Sequence, residues 1–304
     1  MSTVFERLSP GARIAVIRLR SLGDCVLTTP ALSLLKQTRP DVRIAVIVEA
    51  AFAPIFSGNP DIECTLNPSQ SEISRWRPDF TLNLHGGGTS VRLTLASRAS
   101  LRAGFAHFRF RPIYNIRIPR AQEILRVDRK VHTAEHLASA IFFLGAPSQP
   151  IPRARLFAAP SPRPRPYAVL HPMASQPDKI WPHSNFLAVA DHIQRNLGLE
   201  PIFIAGHGES LGEFSRYTTI QGASLEEIKS LLSGAALFAG NDSGPAHIAA
   251  AFGIPVAVLF GSSDPDIWRP WQTESSVLTN PAGIHAIPVT EAIQAVERMV
   301  VTAQ

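Results

Sequence analysis

At 304 residues, with 45% of them hydrophobic, the chain has the length and apolar content for about two domains with packed cores. Its two cysteines, Cys25 and Cys64, exclude a disulfide framework; with no signal peptide evident and a first apolar run far too short to span a bilayer, they fit a reducing cytoplasm. A net charge of +5 favours an anionic partner, but no basic cluster is dense enough to argue for nucleic acid.

The first apolar run, 13–17, leads through Arg18-Leu19-Arg20-Ser21-Leu22-Gly23-Asp24 into a stretch of helical spacing, 28–36, with Pro30 near its start. Strand, glycine-bearing loop and helix make the opening unit of a Rossmann-like half. The dinucleotide fingerprint G-x-G-x-x-G is absent, which argues against nicotinamide binding. Asp24 is either a helix cap favoured by the helix dipole or a carboxylate at the carboxyl edge of a parallel sheet, where ligands of such folds bind. Strands are expected at 44–48 and 80–84, the second ending in His85-Gly86-Gly87-Gly88. Residues 101–110 and 117–119 read as later strands and loops, and 132–144 as the closing helix. Arg92, Arg98, Arg102, Arg109 and Arg111 fall in this region. Singly each is an ordinary surface arginine; as a group they suit a phosphorylated or carboxylated acceptor.

Prolines 147, 150, 152, 160, 162, 164 and 166 forbid helix between the halves. The expected division is therefore an N-terminal domain at 1–150, a Pro-rich linker at 151–166 and a C-terminal domain at 167–304. In the second half strands are expected at 167–170, 201–205, 237–239 and 255–260, each followed by a polar loop containing Gly or Pro. In a parallel sheet these loops leave one edge and converge on one crevice. Ser224-Leu225-Glu226-Glu227 is a capping box, which gives its glutamates a structural role. A last helix, 290–301, is expected to pack back across the domains.

The stretch 237–259 is the centre of this half. Gly240-Asn241-Asp242-Ser243-Gly244 makes a tight turn, Pro245 opens an Ala-rich helix and Gly253 stops it before the next apolar run. The turn places backbone N–H groups, Asp242, Ser243 and His247 at a helix N-terminus, a ready anion site; equally, Asp242 or Ser243 is the N-cap and nothing binds. Lys179, beside Trp181, is likewise either a surface lysine or an anion ligand.

The run Asn241-Asp242-Ser243-Gly244-Pro245-Ala246-His247-Ile248-Ala249-Ala250-Ala251 resembles the D-[ST]-G-x-x-H-x-A-A segment of the glycosyltransferase family 9 heptosyltransferases. Arg18 to Asp24 is similar to the family's R-x-x-[SM]-x-G-D motif, and Lys179-Ile180-Trp181-Pro182 to its K-x-W-P. A strand-plus-Gly pattern at 82–86 and Arg102-Ala103-Gly104-Phe105 extend the resemblance over nearly the whole chain. It implies an α/β protein of GT-B fold, two Rossmann-like doubly wound domains facing a central cleft whose closure would assemble the site and exclude water.

It further implies Asp24 as general base and Lys179 at the donor phosphates. Ser175, Glu209, Asp242, Ser243, Gly244 and His247 would bind the donor, with Glu209 near its ribose; the family tends to show hydroxyls in the loop where this chain has Ala174-Ser175. Arg18, Arg20 and Arg92 are assigned to the acceptor. The implied activity is inverting transfer of a heptose or related sugar from an ADP-sugar co-substrate to a lipopolysaccharide core or other anionic glycolipid or glycan. No cofactor and no metal are expected: Asp264-Pro265-Asp266 has D-x-D spacing, but the family's G-x-x-D-P loop is not a metal site. The implied location is the cytoplasm, with at most peripheral contact with the inner face of the membrane.

Two rivals are weighed. A non-catalytic nucleotide-sugar binder of the same fold has no need of a base such as Asp24. A serine esterase is suggested by Gly208-Glu209-Ser210-Leu211-Gly212, a literal G-x-S-x-G, with Asp264 and His285 following in hydrolase order. Against it, Gly206-His207 separates the motif from its strand, and His85-Gly86-Gly87-Gly88, the would-be oxyanion loop, lies in the other domain.

Overall fold

The computed structural model describes residues 2–302, and the chain divides into two compact units, Met1–Arg155 and Leu156–Gln304. The first comprises β1 (Arg13–Ile17), α1 (Leu22–Thr38), β2 (Arg43–Ile47), β3 (Cys64–Leu66), α2 (Gln70–Trp76), β4 (Phe80–Asn83), α3 (Gly88–Ala96), β5 (Leu101–Phe105), β6 (Ile116–Ile118), α4 (Ala121–Leu125) and α5 (Thr133–Leu144). Its sheet is parallel throughout, in the order β3-β2-β1-β4-β5-β6. The pentapeptide Arg-Ile-Ala-Val-Ile occurs twice, as β1 and β2, and the two copies pair residue for residue from Arg13 with Arg43 to Ile17 with Ile47. Helices cover both faces of such a sheet, which is why these strands are continuous apolar runs rather than alternating ones.

Helix α1 begins at Leu22, well before the predicted 28, and carries Pro30 in its interior rather than near its start. Proline cannot donate to the carbonyl of Val26; the Thr29 hydroxyl does so instead at 2.8 Å, which keeps that buried acceptor satisfied. Asp24 is consequently the third residue of the helix, after an extended Ser21 at the N-cap, and not the cap itself. Of residues 101–110, read as strand and loop, β5 takes 101–105, and β3 appears where none was predicted because three residues show no periodicity.

The second unit comprises β7 (Tyr167–His171), α6 (His183–Asn196), β8 (Glu200–Ala205), β9 (Thr218–Gln221), α7 (Leu225–Ser233), β10 (Leu237–Asn241), α8 (Gly244–Phe252), β11 (Val256–Leu259), α9 (Pro265–Trp268), β12 (Ser275–Leu278) and α10 (Val289–Thr302). Its all-parallel order, β12-β11-β10-β7-β8-β9, repeats the topology of the first. In each unit the strand order reverses once, between β1 and β4 and between β7 and β10, and it is at such reversals that a crevice opens at the carboxyl edge.

The capping box is present at the start of α7, where Ser224 Oγ accepts from Glu227 N (3.3 Å) and the Glu227 carboxylate accepts from Ser224 N (2.8 Å). The apolar face of α10 is buried within its own unit. Ala292, Ala295, Val296 and Met299 join a core that includes Trp181, Phe186, Phe203 and Ile284. The stretch between α5 and β7 has no helix or strand, as its prolines require. It is nonetheless tied down, by Arg155 N to Thr29 Oγ1 (3.1 Å) in one unit and Ser161 N to Ser230 O (2.9 Å) in the other. Among the described residues no helix is long and apolar enough to cross a membrane.

Gly104 in β5 lies flat against the Tyr114 ring, where an added Cβ would meet three ring atoms at 2.7–2.8 Å. Tyr114 is itself buried, and Asn83 Nδ2 donates to its hydroxyl at 2.9 Å, so the ring has no room to retreat. Gly104→Ala is expected to destabilise the protein by about 1–3 kcal/mol in denaturant unfolding through overpacking; an unchanged midpoint would show that the ring yields.

Candidate active site

In the second unit, two loops meet beside the reversal of strand order. After β7 the chain passes through Pro172 and Met173 to a single 3-10 turn, Pro177–Lys179, and then to the fully buried Trp181. Asn241, the last residue of β10, holds this segment in place. Its Oδ1 accepts from Trp181 N (3.2 Å) and its Nδ2 donates to Pro172 O (2.8 Å). The indole Nε1 donates to Ile287 O at 3.0 Å, so the ring is fixed at both ends. Gly261, after β11, allows the closest approach: a Cβ there would fall 2.1 Å from Asp178 O and 2.8 Å from the Cα of Lys179.

These contacts deliver Lys179 to the end of β10, its Nζ 3.5 Å from Asp242 Oδ2. The same carboxylate oxygen accepts a short hydrogen bond from the Ser263 hydroxyl. Asp242 therefore orients the lysine and the turn. Ser243 occupies the N-cap of α8 without capping it; its hydroxyl is instead 2.9 Å from His171 Nδ1. The leading N–H groups of an α-helix have no partner within it, so this uncapped end and the neighbouring lysine bring helix dipole and positive charge to one place. His171 brings no charge of its own, because burial pulls its pKa down to about 4.

The other predicted donor residues are spread along the same edge. Glu209 lies in the loop after β8, where its Oε2 accepts from Gly206 N at 2.6 Å. Ser175 is exposed, and His247 is buried in the first turns of α8 with its ring centroid 6.4 Å from that of Trp268. The sequence reading missed Asn241, His171 and Ser263 as contributors. Their signal was present, since each stands in one of the polar loops or strand ends that had been recognised, but only the fold pairs Asn241 with Trp181 or His171 with Ser243.

In the first unit the reversal lies between β1 and β4. Arg18, just after β1, is buried, and its Nη1 donates to Asp24 Oδ1 at 3.2 Å, while the Ser21 hydroxyl donates to Asp24 Oδ2 at 3.0 Å. Both carboxylate oxygens are thereby oriented in the first helical turn, where the dipole favours negative charge. After β4, Asn83 Oδ1 accepts from the N–H groups of His85 and Gly86, each at 3.0 Å, and so shapes the glycine-rich loop. His85 and His136 have lowered pKa values, His136 to about 4, chiefly through burial. His136 also lines a cleft of about 810 Å³ with His107, Arg120 and Lys130, and lies within electrostatic range of Arg18 and Asp24.

The predicted arginine group does not converge. Arg92 points along exposed α3 towards Thr89 Oγ1 (3.4 Å), and Arg102 is spent on the carbonyls of Ala99 and Ile113 (2.7 and 3.2 Å). Arg98 stands at the opposite, amino-terminal edge of the sheet, with Arg13, Asp79 and Ser100. Arg20 is exposed, 3.9 Å from Glu49. A surface arginine's reach depends on which sheet edge its loop leaves, and spacing in the sequence does not encode that.

The esterase constellation is not assembled. Ser210 Oγ accepts from Gly212 N (3.3 Å), and Asp264 Oδ1 caps α9 by accepting from Asp266 N (2.9 Å). Only a three-residue 3-10 turn, Gly212–Phe214, follows Ser210 where a nucleophile elbow needs an α-helix, and the His85 loop belongs to the other unit. Among the described residues no group of three or more His, Cys, Asp or Glu side chains is arranged to hold a metal ion.

The family model described as Glycosyltransferase family 9 (heptosyltransferase) matches residues 72–288. The lipopolysaccharide heptosyltransferase 3 of Escherichia coli is 27% identical over 288 residues, covering 83% of this chain and 84% of that one. A glycosyl transferase family 9 structure from Veillonella parvula DSM 2008 superposes with a TM-score of 0.84 at 22% identity, covering 96% of this chain and 97% of its own. An E. coli heptosyltransferase, WaaC, solved with ADP, superposes with a TM-score of 0.77 at 19% identity, covering 94% and 99%. These likenesses show the GT-B fold that the motifs implied.

The depressed pKa of His171 sets a pH dependence. Its folded value, about 4, lies below the ordinary 6.5, so between the two the unfolded chain binds a proton that the folded chain does not. Stability from this group is full above pH 6.5 and falls as the pH drops, by about 2 kcal/mol between pH 7 and pH 5. In denaturant titrations across that range, His171→Gln is expected to show a flatter loss than the wild type. Parallel curves would remove His171 as the source.

Proposed function

The chain belongs to glycosyltransferase family 9 and is a glycosyltransferase; we propose that it transfers a heptose from ADP-heptose to a hydroxyl of a lipopolysaccharide core, inverting the anomeric carbon without a metal. The observation that carries this reading is the uncapped N-terminus of α8 with Lys179 beside it at the strand-order reversal. The names of its relatives, lipopolysaccharide heptosyltransferases, and the ADP bound to one of them support the choice of sugar, nucleotide and acceptor.

In this reading the second unit holds the donor. The diphosphate lies on the N–H groups of Ser243 and Gly244, with Lys179 as its counter-charge. As the bond from the sugar to the diphosphate lengthens, negative charge grows on the leaving oxygen; the lysine and helix end, already in place, stabilise it. These groups take the part that a divalent cation plays elsewhere. Asp242, held by Ser263, keeps the lysine aimed. Glu209 has Oε1 available for a ribose hydroxyl, since Oε2 is engaged by Gly206 N. Ser175 adds a hydroxyl, and His247 orders the helix start.

The first unit supplies the base. Asp24 takes the proton of the acceptor hydroxyl as its oxygen attacks the anomeric carbon from the face opposite the diphosphate, so a single displacement inverts the configuration. Arg18 and Ser21 keep the carboxylate in one orientation for that transfer. Arg120, His107 and Lys130, in the cleft that reaches His136, are suited to the anionic substituents of the acceptor, a role that the sequence had assigned to Arg18, Arg20 and Arg92. The reaction is placed at the cytoplasmic side of the inner membrane, with peripheral contact only.

Replacing Asp24 by Asn is expected to lower kcat by about 10²–10⁴-fold, the usual worth of a general base, while the Kd for ADP in calorimetry stays within about twofold because the base does not hold the nucleotide. Normal transfer by Asp24→Asn would overturn its role. Gly261→Ala, by pushing the Lys179 segment away, is expected to weaken ADP binding about tenfold, the loss of one charge-assisted hydrogen bond. Unaltered ADP affinity in that variant would sink the placement of the diphosphate.

A further inference from the structure

The first unit carries a second cleft, of about 910 Å³, at the sheet edge away from Asp24. It lies where β1 begins and where the chain enters β4 and β5, so it shares no wall with the site at the carboxyl edge. Four arginines line it, Arg13, Arg75, Arg77 and Arg98, against one acidic residue, Asp79. That carboxylate is already engaged, its Oδ2 accepting from Arg13 N at 2.8 Å, and the Arg13 side chain donates to Trp76 O at 2.9 Å. Arg75, Arg77 and Arg98 form no ion pair among the described residues. Next to the cleft, by contrast, Arg43 is neutralised by a two-pronged bond to Glu63, with both contacts at 2.6 Å. The recess thus gathers three arginines that have no ion pair among the described residues.

Two of these arginines hold an unusual backbone. Arg77 ends α2 with φ 52°, and Arg98 follows α3 with φ 53°. Left-handed backbone is the habit of glycine and asparagine, and side chains as long as arginine are rare there. Both positions nevertheless carry an arginine, and both line the one cavity. Ser74 lies on the same wall, where the Ser100 hydroxyl donates to Asp79 O at 3.4 Å. Guanidinium forks match phosphate oxygens two at a time, and several of them around a recess without counter-charges fit more than one phosphate.

We propose that this cleft binds a ligand presenting two or more phosphate groups, as a site separate from that of the donor. The phosphates enter a recess, which favours an oligophosphate or a phosphorylated glycan over the plane of a membrane. The site rests on the charge distribution of the first unit alone and stands whether or not the second unit takes ADP.

The test is calorimetric titration of the full-length protein with tripolyphosphate at 50 and 300 mM salt. Binding at low salt that weakens at least tenfold at high salt is expected. The variant Arg75→Gln/Arg98→Asn, in which asparagine tolerates the left-handed backbone, is expected to lose at least tenfold in affinity, whereas Lys179→Met retains it. Binding lost in Lys179→Met and kept in the arginine variant would place all oligophosphate at the donor half and overturn the proposal, as would no binding at all. Wild type that sediments with phosphatidylglycerol vesicles yet ignores tripolyphosphate would also overturn it, in favour of a flat membrane contact. If the double variant melts below the wild type, the exposed single change Arg75→Gln supplies the same comparison, and Arg75→Lys restores part of the binding.

Discussion

One buried amide organises the second unit's site. Asn241 closes β10 and spends both ends of its side chain on the neighbouring loop, accepting from Trp181 N and donating to Pro172 O. Each of those backbone groups would otherwise be buried without a partner, at a cost of about 1–3 kcal/mol apiece. The amide thus does more than bridge two loops: it makes any other path for the Lys179 segment expensive. Trp181, with its indole hydrogen bonded to Ile287 O, anchors the segment from below, and Gly261 gives it room from the side. The lysine's position is set by β7, β10 and β11 together, and its own side chain decides little of it.

The two units share one strand order and differ in what they place at its reversal. In the first, a carboxylate is held by a buried guanidinium and a hydroxyl, and the nearby histidines His85 and His136 are kept towards the neutral form by burial. In the second, an ammonium and a helix N-terminus stand over a neutral His171. A topology of this kind prescribes neither arrangement, since it only brings loops to an edge. Residue choice at equivalent places distinguishes the two units: an oriented carboxylate in one, a lysine beside an uncapped helix N-terminus in the other.

Charge outside these places has its own order. In the first unit some arginines bond to backbone carbonyls, as Arg102, some pair with carboxylates, as Arg43, and Arg75, Arg77 and Arg98 gather around the amino-edge cleft with no ion pair among the described residues. That cluster leaves a local field unbalanced. The net charge of +5 is therefore not a uniform coat, and its meaning lies in where neutralising partners are missing.

The sequence by itself determined the local elements and the motifs that the candidate site is built from. The turn 240–244, the capping box at Ser224 and the strands later found as β1, β4, β7 and β10 were legible because each depends on residues close in the chain: glycine geometry, a hydroxyl three residues from a carboxylate, an apolar run. The motifs around Asp24, Lys179 and Asp242 carried the family for the same reason. What lay beyond it were the short edge strands, too brief for periodicity, and the early start of α1, where Thr29 compensates for Pro30 in a way that propensity does not foresee. Tertiary structure alone decided that the arginines of residues 92–111 do not converge, that Asn241 reaches Trp181 sixty residues away, and that Ser243 pairs its hydroxyl with His171 and leaves α8 uncapped. Those outcomes depend on which strands are neighbours, and the strand order is set by how whole apolar faces pack, a property that no local pattern contains.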